Sequence, residues 1–361
     1  MVGVVCEYYP FLALLLTEGT NPEDCFQLHE KNENSFELLQ TKPGRRELSA
    51  LLGKRLGSVD WSRFDEQLDA IQSHDVTVLS FTSESFPNFI RQISRVPPLL
   101  FCKGDVGALQ EPGVAIVGSR VASSRGRHFA RDLAKRLSEE GVTVTSGLAR
   151  GIDTAAHRGA LQREASTVAV VATGLDVVYP KENTELMRII TRDGCVVTEQ
   201  LMGTLPQSVL FPLRNRLISG LSRMVVVVEA TLRSGALVTA KWALDQGRDV
   251  GAVPAFPGDP RGRGVNKLIK EGAVPIEGIE DIFFAAPELK RGELVKPHKQ
   301  PEPPPSAIAR ELLEALDATT GDADRLAVVL GRSVAIVQRG LLELEMHRLV
   351  ARDSAGEYYR V

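Results

Sequence analysis

The sequence is sparing in the residues that usually announce a function. Its four cysteines, Cys6, Cys25, Cys102 and Cys195, stand far apart and form no C-x-x-C pair. That spacing argues against a zinc ribbon or a disulfide scaffold and fits a reducing, cytoplasmic setting. The six histidines show no H-E-x-x-H and no other metal-ligand spacing. No run of about 18 apolar residues occurs, so no membrane span is expected. The apolar N-terminus carries Glu7 where a signal peptide would be basic, Pro10 inside the run, and no A-x-A before Glu18. Net positive charge is also missing: 43 basic and 46 acidic residues leave −3. Any attraction for a polyanion must therefore rest on a local patch.

What is present is the composition of a soluble globular chain. At 361 residues, 43% hydrophobic and 25% charged, it has length for two or three domains and a large core. Residues 1–75 read as a small helical module, with leucine-rich stretches at Phe11–Leu16, Phe36–Leu39 and Leu48–Leu56 broken by polar segments. Residues 76–290 read as one α/β domain. Short strands are expected at Val76–Phe81 and Leu99–Cys102. Six more follow, at Val114–Val117, Val142–Thr145, Thr167–Val171, Cys195–Thr198, Met224–Val228 and Val250–Val253. Helical patterns near 125–140, 153–163, 183–192 and 235–246 alternate with them. Strands of β-branched residues alternating with helices predict an extended Rossmann-like, doubly wound, mostly parallel sheet. Residues 291–306 are Pro-rich and read as a semi-rigid linker. Residues 307–361 read as three helices and a hairpin, the winged-helix arrangement.

Ligands of such sheets bind beyond the carboxyl ends of the strands. Two small-residue turns fall there. Val114–Val117 leads into Gly118, Ser119 and Arg120; Val142–Thr145 leads into SGLARG, which contains Arg150. Each turn is expected to aim backbone N–H groups outward and, with its arginine, to hold phosphate. The dinucleotide fingerprint is missing, since Gly118 is followed by Ser119 and Arg120, and Thr145-Ser146 stands where an acidic residue should close the second strand. No Walker A motif and no G-x-S-x-G occur, so NAD, FAD and ATP are not expected and no cofactor is assigned. Asp153 and His157 lie four apart on one helical face. They make either a base with its orienting group or a cap and a structural hydrogen bond.

Further anion-binding features follow. Phe211 precedes Arg214, Asn215 and Arg216 in FPLRNRLISGLS; guanidinium groups grip phosphate, and an aromatic ring beside them can stack on an unpaired base. Alternatively, Phe211 is core and the arginines are surface ion pairs. Ser234 and Gly235 open a helix, and RGRGVNKLIKEGA, with Lys267, reads as a flexible basic loop. Four such turns on one sheet edge exceed the needs of a mononucleotide and point to a polymer backbone.

Together AIVGSR, SGLARGIDTAAH, GLDVVYP, FPLRNRLISGLS and SGALVTAKWALDQGRDVGAVP resemble the DNA-processing protein A (DprA/Smf) family, in order, over about 76–285. The resemblance implies a homodimeric, non-enzymatic binder of single-stranded DNA. It further implies loading of the RecA recombinase during natural transformation and recombination. By motif position, Gly118, Ser119 and Arg120 would hold backbone phosphate and Phe211 would stack on a base. Arg214, Asn215, Arg216, Ser234 and Gly235 would line the pocket. A basic position upstream of the aromatic in some relatives is Ser208 here. The winged-helix segment holds seven arginines, no lysine and nine acidic residues, so it is expected to contact protein or to bind DNA weakly.

Overall fold

The computed structural model describes residues 7–31, 35–53, 55–110, 113–162, 166–290, 306–318, 322–346, 350–352 and 358–360. The chain divides into two compact units, 1–293 and 294–361. The linker read over 291–306 lies outside the described residues except for Ser306, as do Cys6 and the tight turn of the C-terminal hairpin.

The first unit opens with five helices: α1 (Tyr9–Leu15), α2 (Pro22–Lys31), α3 (Ser35–Gln40), α4 (Lys42–Leu52) and α5 (Trp61–Ser73). Their starts follow local chemistry. Thr41 accepts a hydrogen bond from the Gly44 N–H at the head of α4, and Asp60 accepts one from Arg63 at the head of α5. Then come β1 (Thr77–Ser80), α6 (Asn88–Arg91), β2 (Leu99–Gly104), β3 (Gly113–Val117), α7 (Ser124–Glu139), β4 (Val144–Ser146) and α8 (Ile152–Ala160). They are followed by β5 (Thr167–Val170), α9 (Thr184–Asp193), β6 (Cys195–Thr198), α10 (Leu210–Gly220), β7 (Ser222–Val227) and α11 (Gly235–Asp245). The unit ends with β8 (Asp249–Ala252), α12 (Arg263–Lys270), β9 (Val274–Pro275) and α13 (Ile279–Ala285).

The nine strands form one sheet in the order β1-β2-β6-β5-β4-β3-β7-β8-β9. From β6 to β9 all neighbours are parallel, and β1 and β2 extend the edge antiparallel. Alternation along each strand serves both faces. Ala115 and Val117 of β3 join Val225 and Val227 of β7 beneath α10, α11 and α12. Val114 and Ile116 face the other way, with Val226, against α7 and α8. Helix α7 shows why its sequence coils: Ala130, Leu133, Ala134 and Leu137 recur at helical spacing, and all are buried. Burying Leu137 fully is worth about 2 kcal/mol.

The N-terminal helices do not stand apart from the sheet. Phe11, Leu12, Leu14 and Phe64 share a cluster with Leu99, Phe101, Ala169 and Val196. Gln67 adds a polar clamp, donating to the Met202 carbonyl at 3.1 Å and accepting from its N–H at 2.9 Å.

The second unit holds α14 (Ala307–Ala318), α15 (Ala323–Leu330), α16 (Val334–Met346) and a two-stranded ribbon, β10 (Val350–Arg352) and β11 (Tyr358–Arg360). Leu312, Leu326, Val337 and Leu341 form its core.

Two segments differ from expectation. FPLRNR, whose Arg214, Asn215 and Arg216 were expected to line the pocket together, opens α10, where Pro212 sits in the first turn and loses no hydrogen bond. RGRGVNKLIKEGA is not a flexible loop but a 3-10 turn (Pro260–Gly262) followed by α12. Its glycines serve close packing: a Cβ on Gly264 would stand 2.6 Å from the Ala230 carbonyl oxygen, and one on Gly262 2.1 Å from the Ala255 Cβ.

Candidate nucleic-acid interface

Strand order reverses between β3 and β7. The chain runs outward through β4, β5 and β6, then returns to place β7 beside β3. A crevice opens at such a switch point, beyond the carboxyl ends of the strands. Here it is a groove of about 660 Å³, lined by Gly118, Ser119 and Arg120 after β3, by Phe211 and Asn215 of α10, and by Ser234 and Gly235 at the head of α11.

The first turn is held close to its neighbours. The Ser119 N–H donates to the Glu229 carbonyl at 2.8 Å, extending the β3–β7 pairing beyond both strands. A Cβ on Gly118 would stand 2.6 Å from Ile152. Glu229 also accepts from the Ser123 N–H at 2.9 Å, and Ser123 in turn caps α7 by accepting from Gly126. With these groups engaged, Arg120 is left exposed, its guanidinium carbon 5.3 Å from the centroid of the Phe211 ring. Tyr179 packs on the same ring, with centroids 5.5 Å apart and an interplanar angle of 51°. Cation, aromatic and aromatic thus form one ledge on the groove, and the guanidinium over the ring is a cation–π contact.

The second turn is a different object from the first. Asp153 Oδ2 accepts from the Gly147 N–H at 3.1 Å and the Ala149 N–H at 3.3 Å, so its anion seat is filled by the chain's own carboxylate. Arg214 closes it from the other side, donating to the carbonyls of Gly147 (2.8 Å) and Val170. Burial pushes the Asp153 carboxyl up against the pull of Arg214, and burial lowers Arg214 to about 10. Gly151 has φ +80, and a Cβ there would meet the Ser119 carbonyl oxygen at 2.2 Å, so the two turns interlock only through a glycine. Asn183, which the sequence did not single out, ties the same loop by donating to the Leu148 carbonyl at 2.8 Å.

His157 is fully buried, and its Nδ1 lies 2.8 Å from the Thr167 hydroxyl. That hydroxyl donates to the Val144 carbonyl at 2.7 Å, so Nδ1 is the ring nitrogen that donates to it. Burial, aided by Arg214, lowers the His157 pKa to about 3. Asp153 and His157 therefore build the turn and its support. The partner of His157, Thr167, is the first residue of β5.

The remaining predicted residues separate along α10. Residues two apart on a helix point roughly 200° from each other. Arg214 reaches the second turn, Asn215 donates to the Gly235 carbonyl at 3.4 Å, and Arg216 points to the far side. There Arg216 forks onto Glu199 at 2.7 and 2.5 Å, nearly sealed from solvent, and donates to the Arg95 carbonyl at 3.0 Å. Arg150 is exposed, with Glu182 at 3.7 Å, and lines a small recess beside Tyr179 and Phe211. Lys267 lies on α12 with Glu271 at 3.5 Å and does not line the groove. The groove also uses Thr231 and Pro206. Glu199 and Glu229 were legible as the acids that close the β6 and β7 apolar runs. Tyr179 stood within GLDVVYP, but its pairing with Phe211 is a contact between distant segments. No helix among the described residues is long and apolar enough to cross a membrane.

Residues 77–287 match the family model described as DNA recombination-mediator protein A, and residues 296–356 match the DprA winged helix domain. The chain is 38% identical to protein Smf of Escherichia coli over 282 residues, covering 76% of this chain and 75% of that one. It is 43% identical to DNA processing protein DprA of Streptococcus pneumoniae over 204 residues, covering 56% and 72%. The solved structure of the Streptococcus pneumoniae protein superposes with a TM-score of 0.67 at 35% identity, over 78% of this chain and 99% of that one. DNA processing protein A from Helicobacter pylori, solved for its single-stranded DNA binding mode, gives a TM-score of 0.55 at 27% identity, over 60% and 97%. The chain belongs to the DNA recombination-mediator protein A (DprA/Smf) family, whose members are DNA-processing recombination mediators.

Proposed function

We propose that the switch-point groove binds single-stranded DNA and that the chain, as a cytoplasmic homodimer, helps load RecA recombinase onto that strand during natural transformation and recombination. The observation that carries the binding step is the ledge of Arg120, Phe211 and Tyr179 beside an open groove. A ring stacks on any unpaired base, and a guanidinium grips any phosphate, so the pair selects single strands without selecting sequence. In the free protein Arg120 rests over Phe211. On binding, it moves to a phosphate and a base takes its place on the ring. Gly118 and Ser119 allow the backbone to approach the strand, and Ser234 and Gly235 present the amino end of α11 to a second phosphate. Arg214 and Asn215 fix the shape of the floor rather than contact DNA. Arg216 anchors α10, and Arg150 and Lys267 add positive charge at the margins.

The arrangement favours a binding site over a catalytic one. A hydrolase built on Asp153 and His157 needs a base that reaches the groove. Asp153 borders the groove, but its Oδ2 is held by two amides, and His157, the group that would have to orient it, is sealed off against Thr167. The family relationship and the Helicobacter pylori structure support the single-strand reading; RecA loading and dimerisation rest on the family resemblance.

Equilibrium binding of a labelled oligothymidine tests the reading. Phe211→Ala is expected to weaken binding by about tenfold, the loss of one stacked base. Arg120→Ala should weaken every single-stranded sequence alike. Affinity within twofold of the parent in both variants would sink the proposal.

A further inference from the structure

The first 75 residues hold a surface that the sheet-edge groove does not use. Seven basic residues occur there against thirteen acidic ones. Five of the seven, Lys42, Arg45, Arg46, Lys54 and Arg55, fall between 42 and 55, where Glu47 is the one acid. In an otherwise acidic segment, positive charge has been gathered into a single stretch.

The fold makes that stretch concave. Helix α4 forms one wall, and residues 55–58 with Glu18 and Gly19 form the other, enclosing about 1160 Å³. The walls are tied together. Ser49 of α4 accepts from the Leu56 N–H at 3.0 Å, and the Gly57 N–H donates to the Glu18 carbonyl at 2.8 Å. Thr17 and Val59 add a β-bridge behind them. The groove is therefore preformed and does not depend on a ligand to shape it.

Its charges are unspent. Arg45 donates to the Leu39 carbonyl at 2.7 Å, but Lys42, Arg46 and Arg55 have no ion-pair partner among the described residues, and all three are exposed. Many other surface arginines of this chain are neutralised, as in Arg136–Glu280, Arg188–Glu185, Arg192–Asp193 and Arg332–Glu311. Among the described residues Glu18 is the lone acid on the groove wall, and it has no ion pair with Lys42, Arg45, Arg46 or Arg55.

We infer that this groove is a second nucleic-acid site, one that grips the phosphate backbone and accepts duplex DNA. Guanidinium and ammonium groups on a concave wall fit a row of phosphates. No aromatic side chain among the described residues lines the groove, so the wall they form neither stacks on a base nor requires an unpaired one. Arginine also binds carboxylates, but a docked acidic polypeptide is normally anchored by apolar side chains, and Leu56 and Ala50 alone line the groove. Membership of a DNA recombination-mediator family makes DNA the polyanion at hand. The inference rests on that membership and not on the single-strand reading of the sheet edge. A recombination mediator with two such sites could hold a single strand and a duplex on one chain.

The test uses the full chain, a labelled blunt duplex of about 20 base pairs and a salt series, with polyglutamate as a second probe. Arg46→Gln/Arg55→Gln should weaken duplex binding at least about fivefold at low salt. It should also make the log–log salt slope shallower by about 1.8, the loss of two phosphate contacts. Its melting temperature should match that of the parent, because both side chains are exposed and unpaired. Arg46→Lys/Arg55→Lys should recover most of the affinity. Unchanged duplex affinity and slope in the Gln variant would overturn the inference. So would loss of polyglutamate binding with duplex binding intact, which would make an acidic protein the occupant. A failure of Phe211→Ala to affect single strands would remove the proposed function and leave this site standing.

Discussion

At the scale of residues, chemistry and scaffold divide within single motifs. Gly118, Ser119 and Arg120 lie open to the groove, whereas in SGLARGIDTAAH Asp153 holds the turn from the groove's edge and His157 is turned inward. His157 gives this division a measurable consequence. Its folded pKa, about 3, lies below the ordinary 6.5 of histidine. Between those values the unfolded chain binds a proton that the native ring refuses. Stability from this group is therefore complete above pH 6.5 and is lost as pH falls toward 3. The slope approaches about 1.4 kcal/mol per pH unit in that window. Denaturant unfolding between pH 7 and 5, above most carboxylate titrations, should show stability falling with pH in the parent and a flatter profile in His157→Gln. Equal slopes would mean that the native ring takes up its proton normally. The spacing of Asp153 and His157 was visible in the sequence. Their partners were not, because these are Thr167 and the amides of residues 147 and 149.

At the scale of elements, the β-strands were the most legible. Runs such as Val225-Val226-Val227 are apolar on both faces and leave no room for another reading. Helices α10 and α12 were less so. The glycines of RGRG suggested a flexible loop, yet they sit at close contacts, and Pro212 lies in a first helical turn. Motif position placed Arg214 and Arg216 together in the pocket, and helical geometry sends them to opposite sides. The winged-helix elements matched the sequence pattern closely. Arg332, just before α16, is forked onto Glu311 at 3.0–3.3 Å. Val328, Ile336 and Leu342 of α15 and α16 are 82%, 47% and 58% exposed. A neutralised arginine and exposed apolar side chains suit protein contact better than DNA. Deleting residues 300–361 should leave single-strand affinity within about threefold of the full chain, because few phosphate contacts go with it. A tenfold loss would reassign the module to DNA.

At the scale of the whole molecule, charge is arranged and not accumulated. A net charge of −3 offers no general attraction to DNA. The α/β alternation showed where a ligand would bind, because strand order fixes the switch point. It could not show that the N-terminal helices share a core with the sheet, since Phe64 meets Ala169 and Val196 in one cluster only after folding. Nor could it show the basic groove, whose second wall comes from residues 18 and 19 as well as 55–58. The central claim is that a few local phosphate contacts, with one stacked base, hold a single strand at the sheet edge. Its most direct measurement is the affinity for a short oligothymidine across a salt series. With roughly three to five phosphates held, log affinity should fall against log salt with a slope of about −2 to −3.5. An affinity independent of salt would contradict the account.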